Sequence, residues 1–243
     1  MFLRDLFSRG NGVTAESVVQ KHAVVTGASS GIGEAIVQRL LADGWRVTGL
    51  CRTPATQTVE RLTIVPVDVT DFTTLKPALD AIGACDAFVH AAGFMRTAPL
   101  GELAADDGAA MWRIHVDAAA FLANALLPNL SAGGRIVLIG SRTANGAATR
   151  SQYAATKAAL VGMARSWAAE LAPRGITVNV VAPGATDTPL LTHPARAGTP
   201  PKLPPIGRFV KPSEVAGLTA FLLGADAGAI TGQQIVMCGG SSL

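Results

Sequence analysis

The chain is short of cysteine, of clustered positive charge and of long apolar runs, and each shortage excludes a class of protein. Cys51, Cys85 and Cys238 are its three cysteines. They are far apart and odd in number, so no disulfide framework and no CxxC metal or redox site can be drawn, and no metal is expected. Free thiols suit a reducing cytoplasm. The formal charge is only +3, and the basic residues are scattered, which argues against nucleic acid as a partner. No stretch is long and apolar enough to span a bilayer. The 26 glycines and 14 prolines form no repeat or low-complexity tract. At 49% hydrophobic and 15% charged, the 243 residues have ample material for one large core.

Phe2, Leu3, Leu6 and Phe7 are interrupted by Arg4, Asp5 and Arg9, which breaks any signal-peptide core. Residues 1–20 read as a loosely held leader, with a short amphipathic helix that docks on a partner or membrane surface as the alternative. Residues 21–243 read as a single domain.

Short apolar runs alternate with helical stretches along that domain. Strands are expected at His22–Thr26, Trp45–Leu50, Leu62–Val67, Asp86–His90, Gly134–Gly140, Ile176–Val181 and Gln234–Met237. Helices are expected over Ile32–Ala42, Phe72–Ile82, Asp106–Leu127, Gln152–Leu171 and Ser213–Leu223. Such alternation predicts an α/β fold: a doubly wound parallel sheet covered by helices on both faces, three layers in all. Ligands in these sheets bind beyond the carboxyl ends of the strands. Topology alone therefore brings Gly27–Gly33, Cys51–Arg52, His90–Gly93, Ser141 and Pro183–Gly184 to one crevice. Residues 186–207 carry Pro189, Pro194, Pro200, Pro201, Pro204 and Pro205, which argues against regular structure and for a substrate lid.

Thr26–Gly33 reads TGASSGIG. Its glycines, Gly27, Gly31 and Gly33, sit between a strand and a helix, where bare backbone and a helix N-terminus can receive a pyrophosphate. Ser29, Ser30 and Ile32 complete that turn. At the end of the second strand an acid would hold a ribose hydroxyl and favour NAD. This chain has Cys51, Arg52 and Thr53 instead, and the Arg52 fork suits a 2′-phosphate. NADP(H) is therefore expected and NAD(H) less so, with a solvent-facing arginine as the plain alternative. Asp68, followed by Val69, could accept from the adenine amino group or could cap the next helix, although Thr70 or Asp71 suits the cap better.

Tyr153, the one tyrosine, and Lys157 are four residues apart and share a helix face. A free phenol has a pKa of about 10, so its use as a base near neutrality needs positive charge nearby, and Lys157 can supply it. Ser141 can hydrogen-bond a substrate oxygen. The same spacing also arises in ordinary amphipathic helices. Gln152, the residues near Met95 and the lid are placed at the substrate pocket. Arg142 and Arg150 either flank its opening, favouring an anionic or acyl-carrier substrate, or are solvated surface.

Together these motifs resemble the short-chain dehydrogenase/reductase family in its classical form, over residues 21–243. TGASSGIG is similar to its TGxxxGxG, YAATK to its YxxxK, Ser141 to its serine, and Val181–Thr188 (VAPGATDT) to its PG motif. The resemblance implies a Rossmann-type fold and NAD(P)(H)-dependent carbonyl/alcohol interconversion on a small molecule. It further implies that Lys157 binds the nicotinamide ribose, that Pro183 and Gly184 shape the ring pocket, and that Thr188 bonds the nicotinamide carboxamide, with Thr186 among the cofactor-binding residues. Ala91, Ala92 and Gly93 keep the family's AAG, but His90 replaces the preceding asparagine. The catalytic asparagine of the family falls at His115. That residue is expected either to join the proton relay, titrating near neutrality, or simply to pack on its helix. Many members form tetramers, so a homo-oligomer is expected. A non-catalytic nucleotide-binding sensor or partner subunit of the same fold is the alternative reading.

Overall fold

A computed structural model describes residues 20–54, 57–191 and 200–243. The leader, apart from Gln20, and the centre of the lid therefore lie outside the described residues. Strands β1 (His22–Thr26), β2 (Arg46–Cys51), β3 (Leu62–Pro66), β4 (Cys85–His90), β5 (Leu130–Ile139), β6 (Thr177–Pro183) and β7 (Gln234–Met237) form one sheet. Its order is β3-β2-β1-β4-β5-β6-β7, and every pairing is parallel. Helices α1 (Gly31–Ala42), α2 (Phe72–Asp80), α3 (Ala105–Trp112), α4 (Ala118–Leu126), α5 (Ser151–Leu171) and α6 (Pro212–Leu223) cover it.

The two-residue period of the strands sorts their side chains into two cores. Val24, Phe88, Ile136 and Val178 face one side, with Leu75, Leu122 and Leu160 from α2, α4 and α5. Val25, Val89, Val137 and Val181 face the other, with Ile36, Leu40, Val215 and Leu222 from α1 and α6. Each such side chain contributes roughly 1.5–3 kcal/mol on burial. Central strands can be apolar at every position because both faces are covered.

The connection that follows β1 leads to β2 and β3 on one side, and the chain then returns to place β4 on the other. This reversal of direction opens a crevice beyond β1 and β4. Thr26 pairs with His90, and His90 with Leu138, so the ends of β1, β4 and β5 are level and present their loops together.

Three expectations are corrected. The helix expected over Asp106–Leu127 is interrupted by a π turn at Arg113–Asp117, in which the Ala118 N–H reaches back to the Arg113 carbonyl. β5 begins at Leu130 rather than Gly134. β6 runs on through Pro183, which pairs with Met237, so Pro183 ends a strand instead of following it. The Gly184 N–H continues that edge with a 2.8 Å bond to the Met237 carbonyl. Of the proposed lid, Thr186 bridges to Val210, and the other described residues form no helix or strand.

Candidate active site

Thr26 anchors the glycine turn. Its Oγ1 accepts from the N–H groups of Ala91 and Ala92, both at 3.0 Å. Its single proton is left for Nδ1 of His90, also at 3.0 Å. Nε2 of His90 then carries the other proton and donates to the Ile114 carbonyl in the π turn at 3.0 Å. Burial pushes the pKa of His90 down to about 3, so this neutral arrangement persists at any physiological pH. His90 therefore ties β1, β4 and the π turn together; its side chain is fully buried and does not face the crevice, contrary to the topological expectation for His90–Gly93. A strap of this kind needs a donor and an acceptor on one side chain, which explains why histidine can stand there.

Gly27 has φ +67°, and a Cβ on it would lie 2.9 Å from the backbone of Ala92. The turn thus closes tightly over the end of β4. Ser30 precedes α1 in extended conformation and its side chain caps no N–H, leaving the first-turn donors facing outward. One cavity beside this turn, of about 360 Å³, is lined by Gly27, Ser29, Ser30, Arg52, Asp68, Val69, Ala92 and Gly93. Arg52 is exposed at its edge; Thr53 is exposed but does not line the cavity, and the Cys51 thiol bonds its carbonyl at 3.2 Å. Asp68 Oδ1 accepts from the Thr70 N–H and hydroxyl, while Asp71 caps α2. Asp68 is thereby free of the helix-capping role and keeps its place on the cavity wall. These cradles fit a dinucleotide: glycine backbone and a helix N-terminus for phosphates, with a cation at the end of β2.

A second cavity, of about 630 Å³, adjoins it through Gly93. Ser141, Tyr153, Lys157 and His115 all line it, with Ile32, Ala91, Pro183, Gly184, Thr186 and Thr188. Ser141 lies two residues past β5; its Oγ accepts from the Thr143 N–H at 3.1 Å, which leaves its proton available. Lys157 lies one helical turn beyond Tyr153, with Nζ 5.8 Å from the centre of the phenol ring. It donates to the Ile139 carbonyl at 2.8 Å. Burial brings its pKa down from 10.5 to about 7. Thr186 and Thr188 hydroxyls bond the carbonyls of Gly184 and Thr186, and Thr188 packs beside Gly31.

The π turn delivers His115 into this cavity. Its ring meets that of Tyr153 edge-on at 5.6 Å. Thr156 donates its hydroxyl proton to the Tyr153 carbonyl, so it accepts from Nδ1 of His115 at 2.8 Å. Nε2 is buried, close to Gly93 and on the side of Lys157, and the Phe94 backbone is a further hydrogen-bonding neighbour of the ring. The expectation that His115 titrates near neutrality is corrected. Burial, followed by the charge of Lys157, holds its pKa well below 6.5.

Gln152 is also corrected: its amide donates to the Ala104 carbonyl at 2.9 Å and packs on α3 rather than in the pocket. Met95, Arg142 and Arg150 do line it, as do Pro200, Pro201 and Lys202 from the lid. Thr156 and the Ile139 carbonyl were not anticipated. Thr156 could have been found from its position inside YAATK, three residues after Tyr153; the carbonyl carries no side-chain signal. No cluster of metal-ligating side chains occurs among the described residues.

Lys157 makes the apo protein's stability rise with pH. Between pH 7 and 10.5 the unfolded chain holds a proton that the folded one has shed, so unfolding becomes harder by up to about 1.4 kcal/mol per pH unit. That gain is lost as pH falls through 7. The Tm of the wild type should therefore climb from pH 7 to 9 relative to Lys157→Met; parallel Tm curves would sink the assignment.

A glycine turn at the switch point, with Tyr153 and the buried Lys157 beside it, is the layout of a nucleotide-dependent oxidoreductase. The chain belongs to the short-chain dehydrogenase/reductase family. A family model described as enoyl-(acyl carrier protein) reductase matches residues 27–242. The chain is 36% identical to the cyclic-di-GMP-binding biofilm dispersal mediator protein of Escherichia coli K12, over 87% of this chain and 93% of that one. It is 35% identical to the 3-oxoacyl-[acyl-carrier-protein] reductase FabG of Salmonella typhimurium, over 90% and 96%. A short-chain dehydrogenase from Burkholderia cenocepacia, solved in complex with NADP, superposes with a TM-score of 0.81 at 35% identity, over 92% and 99%.

Proposed function

We propose that this protein is an NADP(H)-preferring reductase that interconverts a carbonyl and an alcohol, with Ser141, Tyr153 and Lys157 at its centre. The observation that carries this reading is the buried amino group of Lys157, one helical turn from the only tyrosine and in the same cavity as Ser141. The bound dinucleotide would supply the hydride. Ser141, its proton free, donates to the substrate oxygen and stabilises the charge that develops there. Tyr153 gives that oxygen a proton. Lys157 holds the nicotinamide ribose and its charge favours the ionised phenol that remains. His115, its ring neutral and its Nε2 on the side of Lys157, acts on Lys157 as a positioning residue.

Arg52 supports the NADP(H) preference, as does the NADP in the Burkholderia relative. Arg52→Ala should weaken NADPH binding about 10- to 100-fold, the loss of one charge-assisted bond, and leave NADH within about twofold. Nicotinamide fluorescence titration with both cofactors decides it. Tighter NADH binding by the wild type would overturn the preference and leave the family intact. Binding of neither would move the reading to a sensor, the class that the name of the Escherichia coli relative suggests.

The assembly is read as a homo-oligomer. Trp112 on α3, Phe221 on α6 and Val236 on β7 expose apolar surface that association through those elements would cover. No described helix is long and apolar enough to cross a membrane. Three free thiols support a cytoplasmic location.

A further inference from the structure

The loop from Ser141 to α5 carries two arginines that the reaction above does not use. Both line the larger cavity. Arg142 donates from Nη1 to the Ser241 carbonyl at 3.3 Å. Arg150 immediately precedes α5, and its Nε is buried with no hydrogen-bond partner. A buried donor left without a partner is destabilising, and such groups are rare enough to need a reason. The two guanidiniums also repel. Burial, then the charge of Arg142, lowers the pKa of Arg150, and Tyr153 when ionised is the one charge that favours it.

Among the described residues, no acid lines the cavity to offset these charges. None of the residues lining the cavity is an aspartate or glutamate, whereas Arg142, Arg150, Lys157 and Lys202 all are basic. The sequence holds no acid between Asp117 and Glu170, and between Asp187 and Glu214 it holds none either, which includes the whole lid beyond the exposed Asp187. This excess is local, because the chain as a whole carries only +3. The dinucleotide does not account for it: its phosphates belong to the glycine turn and Arg52, which line the other cavity. Arg150 stands three residues before Tyr153 on the same wall, where an anchored group would hold a neighbouring carbonyl at the phenol.

We propose that Arg150, assisted by Arg142, is the anion anchor of the substrate pocket, so that the substrate is a carbonyl compound bearing its own carboxylate or phosphate. The planar guanidinium can engage either group in a forked pair. The inference rests on the oxidoreductase reading and adds the substrate class to it.

Calorimetric titration of the NADP⁺-saturated protein with pentanoate, butyl phosphate and methyl pentanoate tests it without turnover. At least one anion should bind at least 10-fold more tightly than the neutral ester. Arg150→Gln should remove that advantage while NADP⁺ affinity stays within about twofold, and Arg150→Lys should restore part of it. Preference for pentanoate or for butyl phosphate identifies which anion the pocket takes. An ester that binds as well as the anions, no anion binding, or an unchanged advantage in Arg150→Gln would each overturn the anchor. If Arg150→Gln does not fold, the acid–ester contrast in the wild type and in Arg150→Lys decides the matter. A neutral ketone reduced as fast as the matching oxo acid refutes the anchor and spares the enzyme. Anion binding with no NADPH oxidation by any oxo acid or ketone refutes the enzyme instead.

Discussion

Tyr153→Phe should lower kcat for NADPH-dependent carbonyl reduction by about 10²- to 10⁴-fold, the range that loss of a positioned acid produces, and should leave the Kd for NADPH within about twofold. The substitution removes one hydroxyl and keeps the ring. Its edge-on contact with His115 and its place over Lys157 survive, so the cavity keeps its shape. Lys157 is held by the Ile139 carbonyl, not by the phenol, and remains available to the ribose. Ser141 can still polarise the substrate oxygen, which is why the rate falls to a residue rather than to nothing. Single-turnover oxidation of bound NADPH measures the chemical step directly. Retained rate would remove Tyr153 from its role, whereas weakened NADPH binding with unchanged chemistry would make it a structural element of the cofactor site.

Most of the sheet was legible because its strands are buried on both faces and therefore read as continuous runs of Val, Ile and Leu. HAVVT at β1 and ITVNVV at β6 leave little alternative. The glycine turn was legible for a related reason: only its backbone needs to approach a phosphate, and glycine records that need directly. The π turn was not. One extra residue per turn over Arg113–Asp117 barely disturbs an apolar pattern of period 3.6, yet it sets the direction of His115. The protonation of His115 was equally hidden, since it depends on burial and on Thr156, and residue type alone suggested a titrating group. Gln152 misled because adjacency to Tyr153 in sequence is a turn of about 100° on a helix, which aims it at α3. Arg150 was visible as a residue, but its buried, unpartnered Nε is a fact of packing.

Gly33→Ala should weaken NADPH binding by at least about 100-fold and destabilise the apo protein by about 3 kcal/mol, the upper part of the range for overpacking. Helix propensity predicts the reverse. Gly33 lies in the first turn of α1 with ordinary helical backbone, where alanine is the better residue by up to about 1 kcal/mol. Sterics decide the sign. The new methyl would fall inside the carbonyl group of Gly27, with the Thr26 carbonyl oxygen 3.2 Å away. Those atoms are backbone and cannot swing aside. Gly27 cannot retreat either, since it already rests against Ala92, and Ala92 is held through its N–H by Thr26. The turn would have to lift from the sheet, carrying the phosphate-receiving donors with it. Gly162→Ala in α5 is the matched control, because nothing lies within 4 Å of its added carbon; it should stabilise by about 0.5–1 kcal/mol. Urea unfolding of both apo variants, with NADPH titration of each, separates the two effects. If Gly33→Ala bound NADPH normally, the close contact between helix and turn would not be what shapes the phosphate site, and the dinucleotide would have to approach the sheet elsewhere.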